Sequence, residues 1–241
     1  MQAYIVCYVS QFFMFVKDET LKDFLLNDNN TLCYKMIKGD VDMLKTDFDE
    51  IICRPYENAI IEYGIIKGNS TVFFVKAGAN GSMRGYQDKY LKMGLNLHKK
   101  YGFTVVCSSN PFAQEESICQ AVEVIEEYVK TPYQIYYFGH SNGAVMGARC
   151  AWKYPQIKRL CLVNGPLMIN WHQTKDGIAA FQGERMDFIY GEDDFSVKFV
   201  GLFNLIDKQS VSAHIVAGAD HHFVGMLDEF IELPEKYLVD K

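Results

Sequence analysis

From Thr71 onward the chain alternates short, continuously apolar runs with longer stretches in which apolar residues recur every third or fourth position. A short unbroken run rich in β-branched and aromatic residues suits a strand buried on both faces, and the longer period suits a helix with one apolar face. The pattern predicts strands at 71–76, 103–107, 134–138, 159–163, 186–190 and 211–216. Between them it predicts helices at 86–100, where Tyr90, Leu91, Leu95 and Leu97 share a stripe, and at 114–130, where Ile118, Ala121, Val122, Ile125 and Val129 do. Glu115 and Glu116 fall in the first turn of the second helix, where the helix dipole favours acidic groups. A small-residue helix follows at 144–152. Strands separated by helices of this length imply a parallel, doubly wound sheet with helices on both faces, and such sheets bind ligands beyond the carboxyl ends of their strands.

The first 52 residues are less periodic. Runs at 4–9 and 12–16 read as strands, 21–26 as a helical turn, and Asn27, Asp28, Asn29 and Asn30 as a loop. Further strands are predicted at 31–37 and 59–66, followed by a turn at Lys67, Gly68 and Asn69. This stretch is expected to lead into the sheet in antiparallel fashion. No repeat, low-complexity run or linker marks a boundary, so the expectation is one domain over 1–241, with 1–50 contributing only strands at its start.

Composition narrows the function classes. The 241 residues are 49% hydrophobic, enough to bury the core of one domain. A formal charge of −6 gives no electrostatic reason to expect nucleic acid or an anionic membrane as a partner. Seven cysteines are scattered without a C-x-x-C pair or zinc-like His spacing, as in a reduced cytoplasmic protein without a metal. Residues 3–16 are apolar, but no Lys or Arg precedes Lys17 and Ser10–Gln11 interrupts the run, which disfavours a signal peptide. No apolar run approaches the roughly 18 residues a membrane helix needs, so no stable membrane insertion is expected.

The chemistry concentrates at strand ends. Gly139-His140-Ser141-Asn142-Gly143 lies between a predicted strand and a predicted helix, the setting in which G-x-S-x-G forms a nucleophile elbow. The glycines clear space around a serine held in a strained turn, and the following helix offers free N–H groups to an oxyanion. A serine nucleophile needs a base, and the base needs an orienting group. One later strand runs into Gly191-Glu192-Asp193-Asp194, and another into Gly218-Ala219-Asp220-His221-His222-Phe223. Asp193 and Asp194 also read as solvated loop carboxylates, and His222 as structural or exposed. A metal site on Asp220, His221 and His222 is disfavoured because adjacent residues at a strand end diverge. The glycines of 78–85 match no phosphate-binding pattern, and His98, His172 and His214 have no evident partner.

With those motifs in place, residues from about 71 to 230 resemble an α/β-hydrolase. Gly191 to Val197 fits G-x-x-D-x-x-V with Asp194 as the acid, and Gly218 to Phe223 fits G-x-x-H-x-F with His221 as the base. Ala77-Gly78-Ala79-Asn80-Gly81 stands where the family often has H-G-x-x-G, with Ala77 replacing the histidine. The resemblance implies a mostly parallel sheet flanked by helices, a Ser141–Asp194–His221 triad, and backbone oxyanion donors at Ala79 and Asn142. It implies a serine hydrolase cleaving a small carboxylic ester or thioester, with no cofactor and a small acyl compound as its substrate. An acyltransferase using the same triad and a non-catalytic binding protein on the same fold are the alternatives; oligomeric state is not legible. Residues 164–185 span 22 positions, where relatives often carry a cap. Leu167, Met168, Ile169, Trp171, Ile178 and Phe181 there suit either a shallow pocket or a crossover helix packed on the sheet. Either way the segment is too short for a large lid, and a preference for short acyl groups is expected.

Overall fold

A computed structural model of the chain describes residues 5–9, 12–16, 47–57, 59–111, 117–130 and 132–239. It divides into two compact units, residues 1–46 and 47–241. In the smaller unit, β1 (Ile5–Val9) pairs antiparallel with β2 (Phe12–Val16), Ile5 opposite Val16. The turn, loop and strand predicted between 21 and 37 lie outside the described residues.

In the larger unit, central runs that are apolar without alternation become strands covered on both sides. In chain order the elements are β3 (Glu50–Tyr56), β4 (Ala59–Ile66), β5 (Asn69–Lys76), α1 (Lys89–Tyr101), β6 (Phe103–Ser108), α2 (Ser117–Tyr128), β7 (Gln134–His140) and α3 (Asn142–Cys150). They continue with β8 (Ile157–Val163), α4 (Trp171–Ala180), β9 (Arg185–Gly191), a 3-10 stretch (Phe195–Leu205), β10 (Val211–Val216) and α5 (Leu227–Leu238). Eight strands form one sheet in the order β3-β4-β6-β5-β7-β8-β9-β10. The pairs β3–β4 and β4–β6 are antiparallel and the rest are parallel. The sheet is therefore doubly wound and mostly parallel, with an antiparallel lead-in.

Alternate residues of β5 supply two cores. Val72 and Phe74 pack on one face with Ile118, Ile125 and Ile178, while Phe73 and Val75 pack on the other with Leu97, Phe230 and Leu238. Every residue of β6 is buried, which is why its sequence shows no polar alternation.

Three elements escape the sequence pattern. β3 contains Arg54 and Pro55, which interrupt an apolar run; at the sheet edge it needs hydrogen bonds on one side only, so proline is tolerated. α5 carries Pro234 inside it, and the 3-10 stretch carries Gly201, both of which read as breaks. The edge strand β10 is secured by an ion cluster: buried Asp187 on β9 accepts from Arg185 Nε at 2.5 Å and pairs with His214 Nε2 at 2.8 Å. His214, without a partner in the sequence, thus has one across the sheet, and its ring also lies 4.6 Å from that of Tyr237.

Residues 164–185 form a crossover. α4 presses so closely on α3 that a Cβ on Gly177 would lie 2.5 Å from the Ala148 carbonyl oxygen. Leu167, Ile178 and Phe181 are core residues, whereas Met168 and Ile169 are exposed. Among the described residues no helix is long and apolar enough to cross a membrane.

Candidate active site

At the carboxyl end of β7 the chain turns sharply into α3. Ser141 sits at the turn with φ 54° and ψ −116°, a conformation costly for a residue with a side chain. Its N–H donates to the Val163 carbonyl at 2.8 Å, and its own carbonyl accepts from Ala144 and Val145 N–H at 3.0 and 3.2 Å. These bonds hold the strained residue in place. The glycines of the motif answer to close backbone approach: a Cβ on Gly143 would lie 2.2 Å from the Lys76 carbonyl oxygen, and one on Gly139 2.5 Å from that of Gly143.

The carboxyl ends of β9 and β10 deliver the other two groups. Asp194 is buried, and its carboxylate accepts from Ser196 N–H at 2.7 Å and from the Ser196 hydroxyl. It also meets His221 Nδ1, and His221 Nε2 lies 3.0 Å from Ser141 Oγ. Asp193, its neighbour, is exposed, and its N–H donates to the Ala219 carbonyl at 2.9 Å. The loop carrying His221 is built around Asp220, whose carboxylate accepts from Val224 N–H at 2.9 Å and His222 N–H at 3.0 Å. Those backbone donors, Val224 foremost, hold the Asp220 carboxyl below the usual carboxylate range. Ser141, His221 and Asp194, predicted from motifs far apart in the chain, thus form one continuous line of hydrogen bonds.

The loop after β5 faces the serine. A Cβ on Gly78 would lie 3.1 Å from Ser141 Cβ and 3.7 Å from its Oγ, so this position is packed directly on the elbow. Asn110 shapes the loop: its backbone bonds Asn80 and Gly81 at 2.7 and 2.9 Å, and its amide donates to the Ala77 carbonyl at 3.1 Å and Asn142 Oδ1 at 2.9 Å. Among the described residues, the N–H groups of Ala79 and Asn142 have no protein acceptor. Asn142 directly follows the serine in the chain, and Ala79 directly follows Gly78, the residue packed on it.

Sequence reasoning missed Asn110 and Asn164, although both share a signal: each is a polar residue just past the carboxyl end of a buried strand. Asn164 is fully buried, accepts from Gly191 N–H at 2.8 Å, and donates to the carbonyls of Asp220 and His221 at 3.1 Å each. Tyr90 and Lys89, at the start of α1, also gave no signal.

Ring nitrogens of His140, His221 and His222 lie within 4.8 Å of one another. Both nitrogens of His140 and both of His221 are already hydrogen-bonded, which leaves His222 with the only ring of the three not so committed. A metal here would have to break the line through Ser141. His222 is exposed, its ring centroid 5.0 Å from that of His221, and it lines a cleft of about 430 Å³ with Tyr86, Lys89 and Val224.

The strand order, the strained turn after β7 and the loops beyond β9 and β10 define the α/β-hydrolase fold. Solved structures agree on it. An alpha-beta serine hydrolase homologue from Coxiella burnetii is similar with a TM-score of 0.60 and 18% identity, covering 79% of this chain and 97% of that one. Est1E from Butyrivibrio proteoclasticus gives 0.63 and 12%, covering 78% and 97%. A serine hydrolase without a lid from Xanthomonas campestris gives 0.60 and 14%, covering 80% and 94%. No protein-family model and no curated protein matches the sequence.

Proposed function

We propose that the protein is a serine hydrolase that cleaves a small carboxylic ester or thioester through an acyl-enzyme. The observation that carries this reading is the line from Ser141 Oγ to His221 Nε2, and from His221 Nδ1 to the buried Asp194. His221 takes the hydroxyl proton as Ser141 Oγ attacks the acyl carbonyl. Asp194, held by Ser196, keeps the proton on Nδ1 and stabilises the imidazolium that forms. The carbonyl oxygen gains negative charge and is received by the Ala79 and Asn142 N–H groups, each such donor lowering the barrier by about 3 kcal/mol. His221 then returns the proton to the leaving alcohol or thiol. A water, deprotonated by the same imidazole, releases the acid and restores Ser141. Stoichiometrically an ester and water give an acid and an alcohol, with no redox partner.

The test is turnover of p-nitrophenyl esters by the parent and by Ser141→Ala, with circular dichroism confirming that both are folded. The expected result is loss of turnover to near the uncatalysed rate in the variant. A folded Ser141→Ala protein that hydrolyses the esters as fast as the parent contradicts the proposal.

A further inference from the structure

Among the buried hydrogen-bonded groups that the reaction above leaves unused, His140 stands next to the nucleophile. It is 4% exposed and sits between Tyr90 and the backbone of the His221 loop. Its Nε2 lies 2.8 Å from the His221 carbonyl oxygen. A carbonyl can only accept, so Nε2 carries the proton. Nδ1 is then a bare lone pair, and the Tyr90 hydroxyl 3.0 Å away must donate to it. Burial pushes the Tyr90 phenol up, which keeps its proton on the oxygen and available to Nδ1.

The directions are therefore fixed from Tyr90 through His140 to the His221 carbonyl, the main chain of the residue that meets Ser141 Oγ. The same His221 carbonyl takes a second bond, from Asn164 Nδ2 at 3.1 Å. Two buried donors on one carbonyl fix the backbone from which the imidazole swings. The surroundings keep His140 able to do this. Burial and the nearby Lys89 charge hold its pKa well below the usual histidine range, and the Phe230 ring stands edge-on 5.5 Å away.

We propose that His140 is a positioning residue: its Nε2–H fixes the main chain of His221, and Tyr90 holds it in the tautomer that can do so. This rests on the Ser141–His221–Asp194 reading. A base displaced by about 1 Å can lose around 10²-fold in rate without losing substrate binding, so the effect belongs in kcat rather than KM.

Three variants and one spectrum test it. His140→Leu should lower kcat by about 10–100-fold with KM within about twofold. His140→Gln places an amide N–H near Nε2 and should recover kcat to within about threefold of the parent. Tyr90→Phe removes one hydroxyl and should lower kcat by about 3–10-fold at unchanged KM. Long-range ¹H–¹⁵N NMR of the parent should show His140 as the neutral Nε2–H tautomer at both pH 6 and pH 8. A His140 in the Nδ1–H form, or charged at pH 6, overturns the proposal whether or not the leucine variant folds. So does a glutamine variant as slow as the leucine one, or a folded leucine variant with parental kcat. If Ser141→Ala is inactive while His140→Leu matches the parent, the positioning role falls and the hydrolase reading stands. If Ser141→Ala is active, the hydrolase reading itself falls.

Discussion

At the scale of single residues, the two adjacent carboxylates after β9 give the sharpest contrast. Asp194 is buried, held by Ser196 and turned to His221, whereas Asp193 is exposed. Removing the orienting carboxylate of a serine-protease triad costs about 10⁴-fold in kcat. Asp194→Asn should lose activity on that order and Asp193→Asn less than about threefold, measured as kcat on one short-chain ester. The reverse ranking would transfer the orienting role to Asp193. What was legible at this scale was whatever a short motif encodes. Gly139 and Gly143 announce a turn that tolerates no Cβ, and the contacts at 2.5 and 2.2 Å explain why. Asn110, Asn164 and His140 were not legible as site residues because their roles lie in bonds to partners tens of residues away. Asn110 meets Asn142, Asn164 meets Asp220, and His140 meets the His221 carbonyl.

At the scale of elements, the central strands were readable because burial on both faces leaves unbroken apolar runs, and β3 was not because an edge strand escapes that demand. β5 shows a different cost. It ends in Lys76, which is fully buried, with Nζ 3.0 Å from Ser108 Oγ and 2.9 Å from the Ser109 carbonyl oxygen. Burial lowers its pKa to about 7. The unfolded chain keeps a lysine near pKa 10.4. Below pH 7 both states are protonated and the folded state bears the full cost of the buried charge. Between about pH 7 and 10 the unfolded chain holds a proton that the folded one has released, so stability rises with pH. Lys89, brought to about 8 chiefly by burial, adds a slope of the same sign. Lys76→Met should therefore raise Tm at pH 7 by ~5 °C and shrink the gain in Tm between pH 7 and 9.5 to the part left by Lys89. Thermal unfolding across that range checks it; a lower Tm in the variant at pH 7 would mean that the amine's two hydrogen bonds outweigh its charge.

At the scale of the whole molecule, the mostly parallel, doubly wound character of the sheet was implied by the alternation of strands and helices, while the strand order was not, and residues 164–185 were left open between a pocket wall and a crossover. The close packing of α4 on α3 and the burial of Leu167, Ile178 and Phe181 make residues 164–185 a crossover. Short acyl chains gain as much from an open site as long ones, which need an apolar tunnel to bury each further methylene at about 0.8 kcal/mol. Across acetyl, butyryl, octanoyl and palmitoyl esters, kcat/KM should peak at the short end; a steady rise toward palmitoyl would contradict that preference. Above all these stands the claim that Ser141 becomes covalently acylated. Its most direct test is to label the folded protein with a fluorophosphonate and map the adduct by mass spectrometry. Trypsin should release residues 131–149, a peptide in which Ser141 is the only serine. One phosphonyl group per chain on that peptide, absent from Ser141→Ala, is the predicted result; an adduct on another peptide, or no adduct on a folded protein that still turns over esters, would contradict it.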